Sequence, residues 1–110
     1  MHDYVDRTLL HGSFETLVLG VLARRSLHGY AMRWLLAEKS RGAIQVSFGR
    51  LYPLLDALRR GGLIRREVVK AGEHRVRHVY SITPRGRTEL ARRALKWRRF
   101  ARAMDHLLPR

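Results

Sequence analysis

The sequence predicts an α+β fold, mostly α: a winged helix-turn-helix of three helices, a β-hairpin wing and a long C-terminal dimerisation helix. Three observations predict it. Apolar residues recur at three- and four-residue spacing as far as Gly61-Gly62, the period shortens to that of strands from Leu63 to Ile82, and a helical seam follows Thr83-Pro84. At 110 residues the chain has room for one hydrophobic core. Residues 1–82 are therefore expected to form the winged helix-turn-helix domain and residues 83–110 the dimerisation helix, as one compact unit.

The first helix is expected to open at Ser13, a good N-cap, with Glu15 placed for the helix dipole. Phe14, Leu17, Val18, Val21 and Leu22 make its apolar stripe. Arg24 to Leu27 read as a connector. The second helix should run from about His28 to Lys39, burying Tyr30, Trp34, Leu35 and Leu36, and end in the segment Ser40 to Val46 with Gly42. A third opens near Ser47 and carries Leu51, Leu55 and Leu58 on one face, closing at Gly61-Gly62. Pro53 removes one hydrogen bond inside it, so a kink or an irregular first turn is expected, lifting Phe48-Gly49-Arg50 toward solvent.

Leu63–Val69 and Val76–Ile82 are rich in β-branched residues and flank a polar stretch with Gly72, a hairpin signal. Thr83-Pro84 then supplies an N-cap and a proline at the first helical position. The final helix should reach about Leu108, nearly 40 Å at 1.5 Å per residue. Leu90, Ala94, Trp97, Ala101, Met104 and Leu108 alternate spacings of four and three, the seam of a coiled coil. That seam, with Phe14 and Leu17 of the first helix, is the expected interface of a homodimer.

Charge narrows the function. Lys and Arg number 23 against 9 acidic residues, and the net +14 favours a polyanionic partner. Residues 63–110 carry 14 basic and 4 acidic side chains, against 9 and 5 in residues 1–62, so the surplus lies mostly in the hairpin and last helix. Almost all of the cations are Arg, whose planar fork suits phosphate and guanine edges. Double-stranded DNA is the expected partner.

With the three leucines fixed to the core, the third helix leaves Ser47, Gly49, Arg50, Pro53 and Asp56 on or near its free side, and Phe48 and Tyr52 join Ser47, Gly49, Arg50 and Pro53 as candidates for contact with DNA. Arg50 can fork onto guanine or grip a phosphate, Tyr52 can hydrogen-bond a phosphate, and Gly49 admits close backbone approach. Lys70, His74, Arg75 and Arg77 of the hairpin would lie along the backbone or reach a minor groove.

Other chemistries find little support. The absence of Cys excludes disulfides, thiolate zinc sites and cysteine nucleophiles. His74 and His78 sit on the hairpin about 13 Å apart at 3.3 Å per residue, too far for one metal. The chain shows no phosphate loop, nucleophile elbow or paired-carboxylate motif, so neither an enzyme, a metal nor a cofactor is expected. The start, Met1 to Asp6, lacks the order of a signal peptide, and no apolar run approaches the roughly 20 residues of a membrane span. A cytoplasmic protein without membrane insertion is expected. The alternative is a basic amphipathic module that binds RNA or an anionic membrane through residues 84–108.

The segments Leu27-His28-Gly29-Tyr30, Gly49-Arg50-Leu51-Tyr52-Pro53-Leu54-Leu55 with Leu58, Gly62-Leu63-Ile64, and Tyr80-Ser81-Ile82-Thr83-Pro84-Arg85-Gly86 stand in one order over residues 14–90. Together they resemble the PadR family of transcriptional regulators, in its smaller size class. The resemblance implies a homodimeric repressor that binds a palindromic operator, with Tyr30 and the stretch Gly49 to Pro53 at DNA and Thr83 and Gly86 at the turn into the dimerisation helix. It also implies a ligand-binding place for Trp97, lining a cavity between subunits for a small aromatic effector. Ala31 and Trp34 depart from the family pattern, which puts polar residues there, and the last helix is unusually rich in Arg.

Overall fold

The computed structural model describes residues 12–110; the N-terminal stretch read above for a signal peptide lies outside them. Four helices and three strands follow one another in these residues: α1 (Phe14–Leu22), β1 (Leu27–His28), α2 (Gly29–Lys39), α3 (Phe48–Arg60), β2 (Ile64–Lys70), β3 (Val76–Ile82) and α4 (Pro84–Leu107). The sheet is antiparallel with order β1-β3-β2. This is a winged helix.

The first strand is a correction to the expected connector. Leu27 pairs with Tyr80 and His28 with Val79, so the segment before α2 is stitched to the wing. Two residues are too few to show a period, and only the partner strand reveals them. His28 then caps α2, its Nδ1 accepting the Ala31 N–H at 3.2 Å. Ser13 and Ser47 occupy cap positions without making a side-chain cap bond.

The core takes Phe14, Val18, Leu19 and Leu22 from α1, Met32, Leu35 and Leu36 from α2, Leu51, Leu55 and Leu58 from α3, and Ile64 and Tyr80 from the sheet. Tyr30 and Trp34 do not join it, contrary to expectation: they are 68% and 56% exposed. The buried stripe of α2 is Gly29, Met32, Leu35 and Leu36. At 100° per residue Tyr30 and Trp34 both stand on the far side of the helix, about 150° and 170° from the centre of that stripe. Phe14, expected at a dimer interface, is 5% exposed inside the protomer and has little surface left to offer a second copy.

Both α2 and α3 end in the same hydrogen-bonded turn. After α3, Gly62 at φ +76° donates to the Arg59 carbonyl while Leu63 donates to Leu58. After α2 the left-handed position falls to Arg41, φ 54°, with Gly42 donating to Ala37. The helix α3 runs unbroken through Pro53. Pro53 cannot donate to the Gly49 carbonyl, but both residues are exposed, so solvent or a ligand can use that acceptor.

Thr83 ties α4 to the end of α3. Its N–H donates to the Leu63 carbonyl, its hydroxyl donates to the Gly62 and Leu63 carbonyls at 2.8 and 3.0 Å, and its Oγ1 accepts the Gly86 N–H. Farther along, Arg93 joins Glu15 of α1 and Glu89 of its own helix, both at 2.8 Å, and Arg92 shares Glu89. The bonds from Arg92 and then Arg93 hold the Glu89 carboxyl down at about 2. Past Ala94 the helix leaves the body: Trp97, Phe100, Met104, Leu107 and Leu108 are all exposed.

Candidate nucleic-acid interface

Burying Leu51, Leu55 and Leu58 turns Gly49, Pro53, Asp56 and Arg60 outward. This outward row is free of bulky apolar side chains. Asp56 is held by Arg59 and Arg60 at 3.3 and 3.6 Å, and Ser47 is exposed at the helix mouth. Arg50 does not stand straight out as the sequence suggested. It is half-buried at the edge of the row, with its guanidinium 5.8 Å from the centre of the Phe14 ring.

The opposite edge of α3 is aromatic. Phe48 stacks between Tyr30 and Tyr52, with ring centres 6.2 and 5.6 Å away. Arg33 lies 4.8 Å over the Phe48 ring and donates from Nε to the Val46 carbonyl at 2.6 Å. The ring of Tyr52 rests on Gly29, where a Cβ would sit 2.6 Å from the Tyr52 hydroxyl oxygen. Glycine at position 29 is what lets the start of α2 and the side of α3 close together. Trp34, beside Arg33, extends this surface.

The wing projects from the body. Only Ile64 in β2 is buried, and Lys70, His74, Arg75 and Arg77 are all exposed. Strand parity sorts its faces. The register pairs Ile64 with Ile82, Arg66 with Tyr80, Val68 with His78 and Lys70 with Val76, all on the face that Ile64 and Tyr80 turn to the core. Arg66 and Lys70 therefore share the side that looks toward α2 and α3, a placement the sequence reading missed for Arg66. It was legible as two residues past a buried Ile64.

An open hollow of about 490 Å³ lies at this corner, lined by His28, Tyr30, Tyr52, Arg66, Arg77 and His78. Its titratable wall is basic and aromatic. His78 Nδ1 is buried without a hydrogen-bond partner. The structure thus brings Tyr30, Phe48 and Tyr52 together with Arg66 and Arg77, and sets Gly49, Arg50 and Pro53 along the neighbouring helix face. His74 and Arg75 stay apart at the wing tip, and Trp97 lies on the exposed stripe of α4 with Ala94, Ala101, Met104 and Leu108. Leu17 and Leu90 are half-buried against the protomer's own core.

The fold has counterparts among known proteins. The model of the transcriptional regulator PadR-like family matches residues 18–92, more than half of the chain. The chain belongs to the PadR-like family. It is 41% identical over 81 residues, 72% of each chain, to the transcriptional regulator Rv3488 of Mycobacterium tuberculosis (strain ATCC 25618 / H37Rv). A transcriptional regulator from Clostridium thermocellum superposes with a TM-score of 0.85 at 20% identity, covering 96% of this chain and 99% of that one. The PadR of Bacillus subtilis, solved in complex with operator DNA, gives 0.66 at 24% identity over 71% of this chain and 44% of that one. This PadR-like chain is a transcriptional regulator, not an enzyme, and among its described residues no helix is long and apolar enough to cross a membrane.

Proposed function

We propose that this PadR-like regulator binds a palindromic DNA operator as a homodimer in the cytoplasm and represses transcription by occluding a promoter. The observation that carries the reading is the corner just described, where an outward row on α3 free of bulky apolar side chains adjoins an aromatic-basic hollow and a basic wing. Gly49 and Pro53 allow α3 to enter a major groove closely, while Arg50 reaches a base edge or phosphate from the rim. Tyr30, Tyr52 and Arg66 face the phosphate backbone, Lys70 and Arg77 extend that track along the wing, and His74 and Arg75 reach the next groove.

The dimer rests on α4. Five large apolar side chains exposed within residues 97–108 are more than a solvated helix needs to show. A second α4 would cover them, bring the two Trp97 rings to the seam as the wall for a flat aromatic effector, and relate two α3 helices by a twofold axis.

Alanine at two positions tests the assignment. Arg50→Ala should weaken operator binding by about 1–3 kcal/mol and relax sequence preference, whereas Arg75→Ala should weaken operator and random duplex equally. Titrations of both duplexes at fixed salt distinguish the two. Equal losses for Arg50→Ala would reduce it to a phosphate contact.

A further inference from the structure

The helix α4 carries charge that the corner does not use. Residues 84–110 hold nine basic and two acidic side chains, a net +7 and half of the chain's +14. Arg85, Arg92, Lys96 and Arg99 stand at i, i+7, i+11 and i+14, one row about 21 Å long at 1.5 Å per residue, and Arg102 widens its far end. All five are exposed. Arg92 shares Glu89, but among the described residues no ion pair involves Arg85, Lys96, Arg99 or Arg102. Neighbours along the row, Arg92 with Lys96, Lys96 with Arg99, and Arg99 with Arg102, are like charges at i+3 or i+4, each slightly unfavourable to the helix. A polyanion would relieve all three.

At 3.6 residues per turn the row lies roughly 150° around the helix from the Leu90–Leu108 seam. An amphipathic helix on a bilayer sinks its apolar face and keeps its cations beside it at the headgroups. Here the Leu90–Leu108 seam and the row point in nearly opposite directions, with the exposed Phe100 and Leu107 on the flank between them, so sinking the seam into a bilayer would lift the row into water. Pairing α4 through its seam instead leaves a basic row facing outward on each copy. We propose that this row binds the phosphate backbone of a second duplex segment without reading its sequence, so that an operator-bound dimer can bridge or wrap DNA. The proposal rests on the DNA-reading dimer above, and adds a surface distinct from the α2–α3–wing corner.

The test compares the full-length chain with Lys96→Gln/Arg99→Gln/Arg102→Gln. A selected operator duplex is immobilised and saturated with protein, and a fluorescent random-sequence duplex of about 30 base pairs is then offered at ~100 mM salt. The unsubstituted chain should retain the second duplex and the variant at least tenfold less, with operator affinity on the short duplex kept within about threefold. Retention by both, or by neither, overturns the proposal. So does binding to vesicles of one-third phosphatidylglycerol that depends on the row while no duplex is captured. If no operator can be selected at all, the reading of the corner fails, and direct binding of random duplex by the two proteins still tests the row. An unfolding midpoint shared by the two proteins shows that the triple variant folds, and Lys96→Gln/Arg99→Gln replaces it otherwise.

Discussion

At the scale of single residues, two backbone positions decide local stability, and they differ in how visible they are. Gly86 sits where α4 starts against the α3–β2 link, and a Cβ there would lie 2.1 Å from the Leu63 carbonyl oxygen. Backbone cannot step aside as a side chain tip can, so Gly86→Ala should cost roughly 1–3 kcal/mol in denaturant unfolding. Arg41 is the reverse case. It holds the left-handed position after α2 at φ 54°, a place glycine fills without strain, and Arg41→Gly should stabilise by about 0.5–1 kcal/mol in the same measurement. The sequence revealed Gly61-Gly62 as a helix end because glycine names its own role. It could not reveal that Arg41 precedes Gly42 in an equivalent turn, since nothing in an arginine signals a positive φ. The same blindness affected Arg50, whose lean onto Phe14 depends on how α1 packs, and Phe14 itself, whose stripe position did not say which neighbour would cover it.

Between elements, the contact of α4 with α1 depends on a charge cluster. Glu89 holds Arg92 and Arg93, and Arg93 reaches Glu15 across the two helices. The folded Glu89 carboxyl titrates near 2, below the ordinary 4.5, so its ionised form favours the fold. That contribution is complete above about pH 4.5 and disappears as the pH falls toward 2. The difference in unfolding midpoint between the parent chain and Glu89→Gln should therefore stay level above pH 5 and shrink below 4; a gap that persists to pH 2.5 would assign the effect to shape rather than charge. The helices themselves were legible because α3 and α4 have long, regular apolar faces. Less legible was α2, where a buried glycine contributes to the stripe and two large aromatics stand outside it, so that hydrophobicity pointed to Tyr30 and Trp34 instead of Met32. The two-residue β1 left no sequence signal, being defined by Tyr80 and Val79 across the sheet.

For the molecule as a whole, the order of helices, hairpin and final helix was readable from period changes, and the positive charge pointed to a polyanion. What the sequence could not show was the convergence of Tyr30, Tyr52, Arg66 and Arg77 from four elements into one hollow, since these residues are up to 47 positions apart. That convergence, beside the outward row of α3, underlies the reading of a twofold protein gripping two half-sites. Selection from a random-duplex pool followed by sequencing of the retained fragments tests it most directly. An inverted repeat should emerge, its half-sites centred one helical turn apart, about 34–36 Å, or a multiple of that. Recovery of a single unrepeated motif, or of fragments with no common sequence, would contradict it.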